Sequence, residues 1–223
     1  MDGAELQSRR LAAFYEFALL HLPEPDARVL EVGCGDGELA LALVHGGYSV
    51  TAIDPEAPEG AIFRRTRIED FLGEDNFDAV VASVSLHHVD AIGVALDKIV
   101  SLLRPGGLLV LEEFAKERFA GPTARWYYHQ RQALAAVGIG GAPLSDDFAT
   151  WLSEWAHEHD DIHPLVELKQ EIDMRFAERF FGWTPYLFDY RLNDALEPLE
   201  RELIESGAID ATGVRYVGER LEG

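Results

Sequence analysis

The sequence predicts an α/β fold, an open sheet of seven strands carrying a helical insertion after the fifth. Three observations predict it. Apolar, β-rich runs alternate with segments of helical spacing over the first half of the chain. A glycine-rich turn joins the first run to the helix after it. The order strand, tight turn, helix, strand then demands a crossover, and so a parallel pair.

Residues 4–21 carry Leu6, Leu11, Phe14, Tyr15, Leu19 and Leu20 at helical spacing, and Pro23 and Pro25 end that helix. Arg28–Val32 is a short apolar strand running into Gly33. Residues 38–44 return to helical spacing until Gly46 and Gly47 close them, and residues 48–53 form a second strand ending at Asp54. Residues 61–67 supply a third strand. Residues 77–84 supply a fourth, nearly all apolar as a strand covered on both faces must be. A helix over 90–103 stops at Arg104-Pro105-Gly106-Gly107, and residues 108–112 are the fifth strand. Residues 115–178 break the rhythm: they are helical, rich in aromatics and histidine, and contain no comparable strand, which makes them a cap over the sheet. A sixth strand over 181–190 is interrupted by Pro185, which points to an edge or a bulge because proline has no N–H for a ladder. A helix over 196–206, closed by Gly207, and a last strand over 211–220 complete the fold. One domain accommodates it all: an N-terminal helix (1–24), a cofactor-binding half (25–114), the cap (115–178) and the C-terminal strands and helix (179–223).

Composition narrows the function. The chain has 223 residues, 48% of them hydrophobic, enough for a real core. Its formal net charge is −21, so it repels phosphate backbones and anionic headgroups, and neither a nucleic acid nor a membrane is an expected partner. A single cysteine, Cys34, cannot form an internal disulfide, and no apolar run reaches the length of a membrane helix. Arg9 and Arg10 precede an apolar stretch as in a signal peptide, but Glu16 interrupts it and no small-residue cleavage site precedes Pro23. A cytoplasmic location is expected.

The turn Glu31-Val32-Gly33-Cys34-Gly35-Asp36-Gly37 sits between a strand and a helix, and Asp54 ends the next strand about twenty residues further on. That placement suits a carboxylate accepting hydrogen bonds from an adenosine ribose, although Asp54 also suits a helix cap before Pro55. A dinucleotide fingerprint puts its third glycine three positions after the second. Here Gly37 comes one residue early, and Asp36 and Glu38 place negative charge where a pyrophosphate would sit. With Glu31 below the turn, the environment favours a ligand bearing an ammonium or sulfonium cation.

These motifs resemble those of class I S-adenosylmethionine-dependent methyltransferases. VLEVGCGDGELA is similar to their first motif, FDAVVASVSLHHV to the fourth strand, and LLRPGGLLVLEE to the turn and strand five. The resemblance covers roughly residues 25–114. It implies a Rossmann-like fold with a mostly parallel seven-stranded sheet, and S-adenosyl-L-methionine as cofactor. It further implies Glu31 facing the methionine amino group, Gly33, Gly35 and Gly37 beside the methionine and ribose, Asp54 on the ribose, and Ser83 at the strand-four edge of the cofactor site. Many relatives place a carboxylate for the adenine amino group near strand three in a D-x-E-D pattern. RIEDF has Arg67 at the first position, which leaves Ile68 and Glu69 as the residues expected near adenine.

A methyl acceptor has to be aligned with the donor and, for some acceptors, deprotonated. His87-His88 follow strand four at the carboxyl edge, where open α/β sheets bind ligands, and one should face the cleft. His88 is a candidate base. Trp151, Trp155, His159 and His163 recur at four-residue intervals, one face of a helix, so His159 and His163 are further candidates. Trp126, Tyr128, His129 and Tyr186 are expected to wall a small aromatic or apolar acceptor, with packing against the sheet as the simpler alternative for the tryptophans. The segment from His157 to His163 fails the H-E-x-x-H pattern because Asp161 takes the second histidine's place, so no metal is assigned, although two histidines four apart plus a carboxylate leave a divalent ion open. Two rival functions stay open, a non-catalytic cofactor-binding protein and an NAD-dependent oxidoreductase. Oligomeric state is not indicated.

Overall fold

The computed structural model describes residues 6–73, 76–139 and 144–221, so residues 4 and 5 of the expected first helix lie outside the described residues. The helix α1 (Arg9–His21) starts where the Ser8 hydroxyl accepts the Leu11 N–H at 3.1 Å. There follow β1 (Arg28–Val32), α2 (Glu38–His45), β2 (Ser49–Asp54), β3 (Phe63–Arg65), β4 (Phe77–Ser83), α3 (Ile92–Leu102) and β5 (Leu103–Phe114). The second half contains α4 (Gly121–Ala136), α5 (Phe148–Glu158), α6 (Leu165–Asp173), β6 (Phe176–Thr184), α7 (Glu197–Glu205) and β7 (Gly213–Arg220).

The seven strands form one sheet in the order β3-β2-β1-β4-β5-β7-β6. The first five are parallel, and β7 enters antiparallel between β5 and β6. Alternate side chains separate the two cores. Leu30, Val80, Leu109 and Leu111 pack with α3 and α6 on one face, and Val29, Ala79, Val81 and Val110 pack with α1 and α2 on the other. A third core stands at the carboxyl edge, where Phe114 at the end of β5 packs with Phe119, Tyr127, Trp151, Trp155 and Tyr186. No helix among the described residues is long and apolar enough to cross a membrane.

Three elements differ from expectation. The third strand shrinks to Phe63–Arg65, an edge strand paired only with β2, whose last ladder bond runs from the Thr66 N–H to the Asp54 carbonyl at 3.2 Å. The sixth strand is Phe176–Thr184, shifted back from 181–190. Past Pro185 the N–H groups of Tyr186, Leu187 and Phe188 find the buried Glu200 carboxylate at 2.9, 3.0 and 2.7 Å instead of a strand. Finally, residues 115–178 are not all cap. Leu165, Leu168 and Ile172 of α6 belong to the sheet core with Leu96 and Ile99, so α6 covers the sheet face and only α4 and α5 stand over its edge.

Candidate cofactor and acceptor site

The turn after β1 is shaped by where its backbone groups go. The N–H groups of Gly33 and Cys34 both donate to the Ile53 carbonyl, at 2.8 and 3.1 Å. Gly33 has φ +77°, and a Cβ there would stand 2.2 Å from that of Ser85, whose hydroxyl donates to the Val32 carbonyl at 2.7 Å. Gly35 is also left-handed, at φ +51°, but its α-carbon faces open space. Its N–H donates to Asp54 Oδ2 at 3.1 Å, while Asp54 Oδ1 accepts the Glu56 N–H at 2.8 Å. Asp54 therefore ties its own turn to the glycine turn and still lines a cavity of about 390 Å³, with Gly33, Gly35, Ile68, Glu69 and His88 also in the wall.

Glu31 lies beneath this cavity and not in its wall. It is 2% exposed, and its Oε2 has no hydrogen-bond partner among the described residues. Burial first, then the neighbouring Asp36 and Asp54, push its pKa up to about 8. Glu69 likewise has a buried, unpartnered Oε1. Burial, then Glu31 and Asp54, raise the Cys34 thiol to about 12, so it is an unreactive filler of the turn. Gly37, at φ +87°, begins α2 away from the cavity, and Ser83 turns its hydroxyl to Arg10 at 3.0 Å.

Beyond β4 the two histidines divide. His87 is buried with its Nδ1 against Glu113, whose other oxygen accepts the N–H groups of Ser85 and Leu86 at 3.2 and 2.8 Å. His88 faces the cavity, its ring 4.2 Å from that of His87. Its ring nitrogens have no hydrogen-bond partner among the described residues. Partial burial, then His87, hold its pKa below the usual histidine value, so the ring is neutral near pH 7 and has a lone pair to accept a proton.

The other two candidate bases are engaged. His159 is the C-cap just past the end of α5, with Nδ1 on the Trp155 carbonyl at 2.7 Å and Nε2 on the Tyr190 hydroxyl at 2.9 Å. His163 does not continue the face of α5, because the helix stops at Glu158; it straps α6 to the turn after β4, with Nε2 on the Val89 carbonyl at 2.9 Å and its N–H on the His87 carbonyl at 2.9 Å. Trp126, Tyr128 and His129 stay away from the cofactor cavity: Tyr128 is buried between α4 and α5 with its hydroxyl on the Ser145 carbonyl at 2.7 Å, and His129 is exposed on the outer side of α4. Tyr186 is buried, stacked on Phe114 at 5.0 Å with Arg10 over its ring. Among the described residues no cluster of three histidine, cysteine or acidic side chains is arranged to hold a metal.

Sequence reasoning missed a set of buried charges. Arg10 binds Glu112 and reaches Asp189 at 2.8 Å, while Arg215 reaches the other Glu112 oxygen at 3.0 Å, which ties α1 to the sheet and to the turn after β6. The only sequence signal is Glu112-Glu113 ending an apolar strand, where a charge has to find partners on elements that no local pattern identifies.

The profile of a family described as a methyltransferase domain matches residues 4–170. An uncharacterized methyltransferase of Mycobacterium tuberculosis is 38% identical over 101 residues, covering 39% of this chain and 50% of its own. The ubiquinone biosynthesis O-methyltransferase of a Bradyrhizobium species is 32% identical over 178 residues, covering 74% of this chain and 58% of its own. The chain thus spans about half the length of the curated relatives it matches. Among solved structures, 1,6-didemethyltoxoflavin-N1-methyltransferase of Burkholderia thailandensis, with its namesake and S-adenosylhomocysteine bound, aligns with TM-score 0.58 at 18% identity, covering 97% of this chain and 80% of its own. The N-methyltransferase NodS of Bradyrhizobium japonicum aligns with TM-score 0.56 at 14% identity, covering 96% and 95%. At such identities these two speak to the fold.

Proposed function

The chain belongs to the methyltransferase-domain family, with its class I fold, and from that premise we propose that it transfers a methyl group from S-adenosylmethionine to a small aromatic or apolar acceptor. The observation that carries the reading is Glu31, a buried carboxyl with an unpartnered oxygen beneath a glycine turn, in an acidic setting that Asp36 and Asp54 reinforce. A cationic ammonium or sulfonium relieves that setting, whereas a diphosphate worsens it. The donor set fits the cofactor. Asp54 would hold the ribose hydroxyls, Gly33 and Gly35 would admit the methionine, and Ile68 and Glu69 would border the adenine, with Glu69 Oε1 still lacking a donor.

When bound, the cofactor supplies a methyl carbon already activated by its sulfonium. The chain's own part is to orient, to exclude water and to move a proton. His88 takes the proton role in this reading, being the candidate histidine that faces the cavity with both ring nitrogens unengaged. Val84 and Val89, which line the cavity with His88, support an apolar acceptor, and the net charge of −21 disfavours a nucleic acid.

Calorimetry with S-adenosylhomocysteine, NAD and NADP tests the cofactor. The nucleoside sulfide should bind in preference to both dinucleotides, and Asp54→Ala should weaken it by roughly 1–3 kcal/mol, the scale of hydrogen bonds to a charged group. Equal affinity for NAD, or wild-type affinity in the variant, refutes the assignment. Turnover to S-adenosylhomocysteine with any acceptor separates an enzyme from a non-catalytic cofactor-binding protein.

A further inference from the structure

The backbone is strained at one point in the wall of the cofactor cavity. Val84, the residue after β4, has φ +55° and lines that cavity. Of the four non-glycine residues with positive φ among the described residues it is the β-branched one, for which this conformation is a true outlier. Such strain persists only where the surroundings over-determine it.

The surroundings converge on Glu113, the second-to-last residue of β5, which is fully buried and lies outside the cavity wall. One of its carboxylate oxygens accepts the N–H groups of Ser85 and Leu86, the two residues that follow Val84, at 3.2 and 2.8 Å. The other accepts from His87 Nδ1 and, at 3.3 Å, from the Phe114 N–H. On the near side the Val84 N–H donates to the Glu112 carbonyl at 2.7 Å, so the chain is pinned just before and just after the left-handed residue. His163 pins the later carbonyls of His87 and Val89, whereas the two N–H groups next to Val84 go to Glu113 alone among the described residues. The far side of the turn is cavity wall as well. The Ser85 hydroxyl reaches the Val32 carbonyl beside the glycine turn, and the His88 ring lies 4.2 Å from the His87 ring that Glu113 holds. A carboxylate is costly to bury, and every hydrogen bond this one accepts comes from the turn or from the next residue of its own strand.

We propose that Glu113 is a positioning residue of the cofactor site, its carboxylate holding the left-handed turn at Val84 and so fixing the wall that Val84, Ser85 and His88 present to the ligand. The identity of that ligand rests on the methyl-transfer reading. Glu113 itself touches neither cofactor nor acceptor, and acts through the backbone of the turn.

Calorimetry on the full chain with S-adenosylhomocysteine tests it. Glu113→Met keeps the length of the side chain and removes both acceptors. It should weaken binding about fivefold to fiftyfold, because only the fraction of molecules with the turn in place binds. Glu113→Gln keeps one carbonyl for Ser85 and Leu86 and can turn its NH₂ to the other tautomer of His87, so it should restore affinity to within about threefold of the unaltered chain. Val84→Gly removes the strain, since glycine adopts positive φ freely. Adding Glu113→Met to it should cost less than about threefold. A purely structural carboxylate would instead lower stability in urea while folded molecules kept full affinity. Full affinity in Glu113→Met, a glutamine variant as weak as the methionine one, or equal losses with and without Val84→Gly each overturns the proposal. Should Glu113→Met not fold, native-state hydrogen exchange on the unaltered chain decides: the Ser85 and Leu86 amides should be protected at least about a hundredfold, and exchange at the rate of open amides sinks the idea. Failure of the unaltered chain to bind the nucleoside refutes the cofactor assignment, and the exchange rates then judge the hold of Glu113 on the turn by themselves.

Discussion

Glu31 shows what a single buried carboxyl does to a binding equilibrium. In water it titrates near 4.5, and under the glycine turn near 8. Between those values the folded protein holds a proton that the unfolded chain has lost, so this group makes folding less favourable as pH rises through that window. At pH 7 a ligand cation that pairs with Glu31 forces the proton off. S-adenosylhomocysteine, through its ammonium, should therefore release up to about one proton at pH 7, read as a binding heat that varies with the ionisation enthalpy of the buffer. Glu31→Gln should abolish the release and flatten the fall in stability between about pH 5 and 8. A buffer-independent heat in the wild type would show that the ligand's cation does not reach Glu31. His88 gives a second test at this scale. Its pKa is depressed, so the acid limb of kcat/KM should fall below the ordinary histidine value of 6.5. Once an acceptor is in hand, His88→Gln should lower kcat by about 10²–10⁴-fold, remove that limb and leave cofactor affinity intact. A change confined to KM would make His88 a positioning residue.

At the scale of elements, the segment after β6 explains how a short irregular stretch is held in place. Pro185 ends the strand, and the next three N–H groups converge on the Glu200 carboxylate, which is fully buried at the start of α7. The arrangement holds Tyr186 against Phe114 and begins the turn that carries Asp189 and Tyr190. Glu200→Ala leaves three buried donors unpaired and should destabilise the protein by about 2–4 kcal/mol in urea unfolding, with the earliest proteolytic cuts between residues 185 and 192. A loss below ~1 kcal/mol would mean that water takes over the three N–H groups.

At the scale of the molecule, one ion cluster joins the two ends of the chain. Arg10 on α1, Glu112 on β5, Arg215 on β7 and Asp189 after β6 meet at the carboxyl edge. Burial raises the Glu112 pKa despite the two arginines beside it, so each partner is needed to keep the carboxylate charged. Arg10→Ala should cost about 3–5 kcal/mol, the penalty for breaking a buried pair, and should loosen α1 from the sheet. Replacing Arg10 and Glu112 together by apolar residues should cost less than the single change, and a double-mutant cycle measures the difference.

What the sequence by itself determined about this protein was local or periodic. The strand, glycine turn, helix and strand from β1 to β2 follow from apolar runs, left-handed glycines and short range, and so does Asp54 beside Gly35. The alternating core residues of β4 and β5 were legible for the same reason. Tertiary structure alone decided which charges met and which histidine stayed free. His159 and His163 carry the same spacing signal as the buried tryptophans, yet the helix ends at Glu158, and the Trp155 carbonyl one turn back, the distant Val89 carbonyl and the Tyr190 hydroxyl occupy three of their four ring nitrogens at 2.7–2.9 Å. Glu200 gave no signal, and Glu113 gave only its place at the end of an apolar strand, because a buried polar side chain is recognised by partners on other elements. Periodicity reports which side of an element faces inward, while the chemistry of a site depends on what the inward side meets.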